Sequence, residues 1–190
     1  MIEFRHVGKT FAGGAEAVRD FSLSIPSGSL TVLVGSSGCG KTTLLRMVNR
    51  MVEPSSGQIL IDDVDVRERD AVELRREIGY VMQSGGLLPH KTVSDNIQTV
   101  PRLVGWKKPR ARDRASELMA VVGLDPELAD RYPQQLSGGQ QQRVGVARAL
   151  AVDPNILLMD EPFGAVDPVV RRDLQRELLD LQARLNKTVV

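Results

Sequence analysis

The chain has 190 residues, of which 42% are hydrophobic and 26% are charged, so it can bury one substantial core and has about the size of one domain. Its net charge of +1 gives no field strong enough to indicate nucleic acid or an acidic membrane surface as the main partner. The longest apolar runs, such as LTVLVG and NILLMD, are far shorter than the roughly 20 residues that cross a bilayer, and the N-terminal residues lack the apolar segment of a secretory signal.

The sequence predicts strands and helices that alternate along the chain. Residues 29–35, SLTVLVG, predict a strand, and the helical spacing of apolar residues in 41–52 predicts a helix directly after it. Residues from about 92 to 136 are predicted to be mainly helical, with TVSDNI and ARDRASELMAVVGL as capped helix starts. Residues 155–160, NILLMD, predict a buried central strand, and 167–185 predict a helix with leucines on one face. This order indicates a parallel α/β core with a helical subdomain inserted in its middle.

The first chemical motif lies between the first predicted strand and helix. Its sequence, GSSGCGKT, matches the pattern G-x-x-x-x-G-K-[ST] of a phosphate-binding loop. Glycines let backbone N–H groups face phosphate oxygens, and the helix N-terminus adds partial positive charge. We expect Lys41 to reach the β- and γ-phosphates and Thr42 to place its hydroxyl on Mg²⁺. A glycine turn followed by a chance lysine is the alternative. The residues predicted to contact the nucleotide here are Gly35, Ser36, Ser37, Gly38, Cys39, Gly40, Lys41, Thr42 and Thr43.

Cys39 is the single cysteine of the chain. It excludes an internal disulfide and agrees with a reducing compartment. Within the phosphate loop we expect it to be a small filler and no redox switch. Its alkylation is expected to abolish nucleotide binding.

Two carboxylates, Asp160 and Glu161, end the second predicted strand in ILLMDEP. Open α/β sheets bind ligands at this edge, and strand alternation sends neighbouring side chains to opposite sides. We therefore expect Asp160 to hold the Mg²⁺ shell and Glu161 to orient or deprotonate the attacking water. Surface carboxylates at a strand end are the alternative.

A second glycine-rich stretch, LSGGQ, opens another predicted helix. Ser137 and Gln140 have the spacing of a capping box, which explains the serine and the glutamine. It does not explain Gly138 and Gly139, because glycine costs about 1 kcal/mol against alanine in a helix. Close approach of an anion to the exposed amides would explain them. Since the first loop already holds a nucleotide, this anion is expected to be a phosphate bound by another subunit.

These motifs resemble those of the ATP-binding cassette (ABC) transporter ATPases. GSSGCGKTT, the glutamine at 83, LSGGQQQR, ILLMDEP and GAVD occur in that family's order and spacing. The resemblance implies an α/β fold: a P-loop NTPase core with a parallel sheet, an N-terminal antiparallel β portion and an inserted α-helical subdomain. It implies one domain over 1–190, with the core in 1–91 and 137–190 and the helical subdomain in about 92–136.

The resemblance also assigns residues outside the local motifs. Gln83 resembles the family's lid glutamine, which links Mg²⁺ and the attacking water to the membrane partner. Asp167 in GAVD resembles the loop acid that crosses the dimer interface. Phe11 occupies the place where the family stacks an aromatic ring on adenine, and Val18 lies beside it. By the same resemblance Ser137, Gly138, Gly139 and Gln140 contact ATP bound to the partner cassette.

By role, the expected catalytic residues are Glu161, Lys41 and Gln83. The expected metal-site residues are Thr42, Gln83 and Asp160. The implied cofactors are ATP and Mg²⁺, and the implied partners are a second cassette in a head-to-tail dimer and transmembrane permease subunits. An extracytoplasmic substrate-binding protein would be an indirect partner, and nucleic acid is not expected. These partners imply a peripheral position on the cytoplasmic face of the cell inner membrane.

Within the family, GLLPHKTVSDNI and DEPFGAVDP resemble the importers of osmoprotectants such as glycine betaine, choline, carnitine or proline. Another solute, such as an amino acid, stays an alternative, because an ATPase subunit does not touch the transported solute. In the family the strand that begins KTVV continues to a histidine that contacts the γ-phosphate. His6 and His90 are elsewhere, so we expect a C-terminally truncated chain that binds nucleotide and turns it over weakly.

Proteins of other classes carry part of this pattern. ATPases of DNA repair or chromosome organisation separate the same motifs by a long coiled coil, whereas the segment between Gln83 and Ser137 shows no sustained heptad. Translation-associated members carry two cassettes on one chain. A small-molecule kinase would use only the phosphate loop and leave LSGGQ without a purpose. A last alternative is a regulatory cassette that binds ATP without hydrolysing it. Glu161 argues against this interpretation, and the missing histidine argues for it.

Overall fold

The computed structural model describes residues 1–83, 86–162, 164 and 168–190, apart from the side chains of 168–170, 173, 174 and 181. These residues form two sheets, seven α-helices and three short 3-10 helices. The strands are β1 (Ile2–Thr10), β2 (Glu16–Ile25), β3 (Ser56–Ile61), β4 (Val64–Asp65), β5 (Ile78–Val81), β6 (Ile156–Met159) and β7 (Thr188–Val189). The helices are α1 (Lys41–Val48), α2 (Ala71–Glu77), α3 (Val93–Ile97), α4 (Thr99–Leu103), α5 (Lys108–Val121), α6 (Gly138–Ala149) and α7 (Pro168–Leu185).

An antiparallel sheet in the order β2-β1-β3-β4 forms the N-terminal part. Gly13 and Gly14 both have positive φ in the turn that joins β1 to β2, a conformation that glycine adopts without a steric penalty. The rings of Phe4 and Phe21 pack edge to face across these strands, with centroids 5.3 Å apart. This sheet confirms the predicted antiparallel β portion.

A parallel sheet in the order β5-β6-β7 forms the centre of the fold. All residues of β6 are buried, as expected of a strand covered on both faces. Alternate side chains of β6 enter different cores. Ile156 and Leu158 pack with α1 and the antiparallel sheet, whereas Leu157 and Met159 pack with α3, α5 and α6. The predicted parallel α/β core is therefore confirmed.

The predicted strand over 29–35 is largely wrong. Leu30 forms an isolated parallel bridge to Val189, and the amide of Thr31 donates to the carbonyl of Val189 over 2.8 Å. The residues that follow lie outside any strand, and Val32 and Val34 are 70% and 91% exposed. A strand needs a neighbouring strand to bond with, and the neighbour of this segment, β7, has only two residues. The β-propensity of residues 29–35 is therefore not enough to form a strand.

The helix predictions differ from the structure mainly at their ends. Thr92 accepts a hydrogen bond from the amide of Asp95, which confirms the first capped start. The second is wrong: α5 begins at Lys108, before the predicted start, with Pro109 in its first turn and no side-chain cap. Proline fits there because the first turn lacks amide partners in any case. The predicted helix over 41–52 ends early, at Val48. No helix in the described part of the chain is both long and apolar enough to cross a membrane.

Candidate functional site

The predicted phosphate loop is exposed at the N-terminus of α1. Gly40 is the N-cap residue, with φ of 94°, and a Cβ atom added there would lie 2.3 Å from the carbonyl oxygen of Ala17. Only glycine therefore fits at this position. Gly38 has φ of +80° and no atom within 4 Å of an added Cβ. The loop consequently presents its backbone to open space at a helix N-terminus, which is the arrangement that binds anions.

Lys41 lies folded over this loop. Its Nζ donates hydrogen bonds to the carbonyl oxygens of Gly35 and Ser36, each over 2.8 Å. The Sγ atom of Cys39 is 3.7 Å from the same nitrogen. The ammonium group thus sits on the exposed loop and can exchange these carbonyls for phosphate oxygens, which are stronger acceptors because they are charged.

Asp160 follows β6 and is almost fully buried, with 3% exposure. The hydroxyl of Thr42 donates to its Oδ1 over 2.7 Å. The hydroxyl of Tyr80 donates to its Oδ2 over 3.1 Å. Asp160 continues the alternation of Ile156 and Leu158, which face α1, and for this reason its carboxylate meets the first turn of that helix.

Glu161 lies in a different environment from its neighbour. Its side chain is exposed, and its Oε2 accepts a hydrogen bond from Nε2 of Gln83 over 2.7 Å. Its backbone has φ of 46°, which is uncommon for a residue other than glycine and is concentrated at functional sites. The two adjacent carboxylates therefore have separate partners, although strand alternation does not account for Glu161, which lies beyond the end of β6 in a left-handed backbone conformation.

The oxygen atoms of Thr42 and Asp160 suit Mg²⁺. This ion prefers oxygen ligands, keeps several waters and is held by one or two protein groups together with substrate phosphates. Among the described residues no group of three or more His, Cys, Asp and Glu side chains gathers into a metal cage. A hydroxyl and a carboxylate beside an anion-binding loop fit a metal that arrives with a nucleotide.

Ser137 and Gln140 form the predicted capping box at the start of α6. The amide of Gln140 donates to Oγ of Ser137 over 3.2 Å, and the amide of Ser137 donates to Oε1 of Gln140 over 2.9 Å. Ser137 and Gly138 are exposed, and Gly139 and Gln140 are partly so. In the described part of the chain these side chains bond to each other and not to the phosphate loop. The structure therefore brings Lys41, Thr42, Gln83, Asp160 and Glu161 together and leaves LSGGQ outside this group.

The predicted adenine contacts have different surroundings. Phe11 is 42% exposed, and Nζ of Lys9 lies 5.1 Å from its ring centroid. Val18 is buried, and its Cγ2 would be 3.0 Å from a Cβ added to Gly40. Phe11 is thus available for stacking, whereas Val18 packs beneath the phosphate loop. Asp167 lies outside the described residues.

Several residues near the site were missed by the sequence analysis. Besides Tyr80, these are Arg148, which donates to the carbonyl of Gly86 over 2.7 Å, and Asn96. The buried Asn96 side chain accepts from the amide of Leu88 and donates to its carbonyl, which fixes the backbone at Leu88. No sequence signal marked Tyr80, because the pairing of its strand with β6, which brings it to the distant Asp160, is known only from the structure.

Comparison with known proteins agrees with this geometry. A sequence model described as ABC transporter matches residues 18–164. The carnitine transport ATP-binding protein OpuCA of Listeria monocytogenes is 52% identical over 190 residues, 100% of this chain and 48% of that protein. The glycine betaine uptake system ATP-binding protein YehX of Escherichia coli is 55% identical over 190 residues, 100% of this chain and 61% of that protein. The chain thus spans about half the length of the curated relatives it matches.

A solved structure has the same fold. It is that of the ATP-binding cassette MJ0796, described as a dimeric post-hydrolysis state bound to ADP and Pi. Its TM-score is 0.89 and its identity 34%, with 100% of this chain and 86% of that chain covered. The sequence match, the phosphate loop and the parallel core lead to the same conclusion: this chain belongs to the ABC transporter family.

Proposed function

We propose that the chain is the part of an importer that binds and hydrolyses ATP, and that the importer carries osmoprotectants such as glycine betaine, choline, carnitine or proline. The observation that carries the catalytic part is the convergence of Thr42, Asp160, Glu161 and Gln83 beside the phosphate loop. The solute is inferred from the relatives named for carnitine and glycine betaine transport. No side chain of an ATPase domain needs to touch that solute.

In the proposed reaction, water attacks the γ-phosphorus of ATP. A bond forms between the water oxygen and phosphorus, the bond to the β,γ-bridging oxygen breaks, and ADP and phosphate are released. Glu161 orients the water and accepts its proton, while Gln83 holds the Glu161 carboxylate in place. Lys41 exchanges its hydrogen bonds to the carbonyls of Gly35 and Ser36 for bonds to the β- and γ-phosphates and offsets their charge. Mg²⁺, when bound at Thr42 and Asp160, would supply further charge neutralisation across these phosphates.

The stretch LSGGQ acts in this proposal on ATP bound to a second cassette. Support comes from its exposure at the N-terminus of α6, from its separation from the chain's own phosphate loop, and from the dimeric state of the MJ0796 cassette bound to ADP and Pi. Head-to-tail pairing would bring Ser137 to the partner's γ-phosphate, and Asp167 is proposed to line the same interface. Closure of this dimer would drive permease subunits in the membrane, and we propose that the cassette contacts them at the cytoplasmic face.

The first test is the molecular mass of Glu161→Gln protein in solution, measured by light scattering with and without excess Mg-ATP. Removing the base should slow hydrolysis and let the closed state accumulate, so the mass should double with Mg-ATP. Adding Ser137→Arg should prevent this. Tight ATP binding by a monomer at every protein concentration tested would contradict the proposed contact with a partner's ATP.

The solute is tested separately, in cells that depend on the intact transporter. Uptake of radiolabelled glycine betaine or carnitine should be lost with Glu161→Gln, whereas uptake of an amino acid that is not an osmoprotectant, such as leucine, should not change. The opposite pattern would overturn the proposed solute and leave the ATPase assignment intact.

A further inference from the structure

Both carboxylate oxygens of Asp160 are held by hydroxyl donors from different elements. Thr42 of α1 bonds to Oδ1 over 2.7 Å, and Tyr80 of β5 bonds to Oδ2 over 3.1 Å. Thr42 belongs to the phosphate-loop motif. Tyr80 belongs to no motif, and nothing in its immediate sequence marks it as part of a nucleotide site.

The position of Tyr80 follows from the sheet. β5 and β6 pair in parallel with Tyr80 opposite Leu158, so the two side chains lie on the same face. Asp160 is two residues beyond Leu158 and shares that face. The amide of Asp160 also donates to the carbonyl of Val81 over 2.9 Å, so β5 controls both the backbone and the carboxylate of Asp160.

Helix α1 encloses this carboxylate from the other side. Thr42 and Arg46 are one turn apart and face the same direction. The neighbouring Tyr80 hydroxyl is the main reason that the pKa of Arg46 is raised. The hydrogen bonds of Thr42 and Tyr80 to Asp160 thus link α1 to β5 through one carboxylate.

We propose that Tyr80 is a positioning residue for the metal site: its hydroxyl restrains rotation of the Asp160 carboxylate and keeps Oδ1 facing Thr42. This inference rests on the proposed Mg²⁺ site. A buried carboxylate with one free oxygen can rotate about its terminal bond, because that torsion is broad. A second donor removes this freedom, in the way that outer partners orient the ligands of metal sites.

The phenol is suited to this role because it stays protonated. An ordinary tyrosine phenol has a pKa of about 10, well above neutral pH. Tyr80 therefore remains a hydrogen-bond donor to Asp160 throughout the neutral range.

The test is Tyr80→Phe, which keeps the ring and removes only the donor. Mn²⁺ binding to the complex with ADP is followed by electron paramagnetic resonance, and ADP affinity is measured separately in excess EDTA. We expect Mn²⁺ affinity to fall roughly tenfold, which is the usual scale for losing an outer partner of a metal ligand. ADP affinity without metal should stay unchanged. Tyr132→Phe, at the chain's other tyrosine, should alter neither value.

The outcomes separate this inference from the proposed function. Wild-type protein that binds ADP equally well with and without Mn²⁺ would overturn the metal site itself. A metal-dependent wild type and a Tyr80→Phe protein with the same Mn²⁺ affinity would overturn only the role of Tyr80. Equal losses of ADP affinity with and without metal would also overturn it, because such losses indicate general damage to the fold.

Discussion

The side-chain amide of Gln83 donates a hydrogen bond to the carboxylate of Glu161 over 2.7 Å, although the two residues are far apart in sequence. They meet because Gln83 follows β5, Glu161 follows β6, and these strands are parallel neighbours. The carboxyl ends of such strands share one edge of the sheet. The bond couples the proposed base to the segment that leads towards α3.

This bond predicts the behaviour of Gln83→Leu. Without the amide donor, Glu161 should lose its orientation, and ATP hydrolysis should fall about 10- to 100-fold, the range typical of lost outer-shell partners. ATP affinity in EDTA should be unchanged. Phosphate release and equilibrium binding measure the two effects. The exposed Gln134→Leu is the matched control, and a hydrolysis rate for Gln83→Leu equal to that of this control would exclude the proposed coupling.

Ser137 caps α6 and is proposed to contact the γ-phosphate bound to a partner cassette. The substitutions Ser137→Asp and Ser137→Asn separate these two roles. Both replacements are good N-cap residues, so the free energy of unfolding should stay close to that of the wild type, whereas Ser137→Ala should lose about 1 kcal/mol. Aspartate, however, would place a negative charge against the partner's γ-phosphate. In the Glu161→Gln background, Mg-ATP should therefore dimerise the asparagine variant and not the aspartate variant. Dimers of both would argue against a phosphate contact at Ser137.

Cys39 offers a chemical probe of the phosphate loop. It is exposed, and its sulfur lies 3.7 Å from Nζ of Lys41. An adduct on this sulfur would therefore block the predicted phosphate-binding site. N-ethylmaleimide should modify it and abolish ATP binding, and saturating Mg-ATP should slow the modification. Mass spectrometry of the intact protein follows the adduct. Cys39→Ser protein should bind ATP and stay unmodified, and equal labelling rates with and without Mg-ATP would count against the predicted site.

Arg148 is predicted to stabilise the segment after Gln83. It donates to the carbonyl of Gly86 from the last turn of α6, and burial lowers the pKa of its guanidinium. Arg148→Met should leave that carbonyl without this donor and reduce the free energy of unfolding by about 1 to 3 kcal/mol. Urea unfolding measures the loss, and hydrogen exchange near Gly86 should quicken. Arg112→Met, on the exposed face of α5, should cost far less; equal costs would refute this role.

Local patterns predicted much of the fold. The uniform apolarity of NILLMD, which has no polar alternation, indicated a buried strand, and β6 is one. The serine and glutamine of LSGGQ indicated a capping box, and both of its hydrogen bonds are present. The segment 29–35 had equally strong local signals but lacks a ladder partner beyond Leu30. Strand formation there depends on a neighbour that local sequence does not describe.

By itself, the sequence determined the chemical groups of the candidate site, because a phosphate loop and a strand that ends in two acids are each encoded within a few consecutive residues. Only the tertiary structure decided which groups meet. The pairing of β5 with β6 brings Tyr80 to Asp160 and Gln83 to Glu161. Such contacts depend on strand order and on the face that each side chain takes, and these are set by packing between segments that are far apart in the chain.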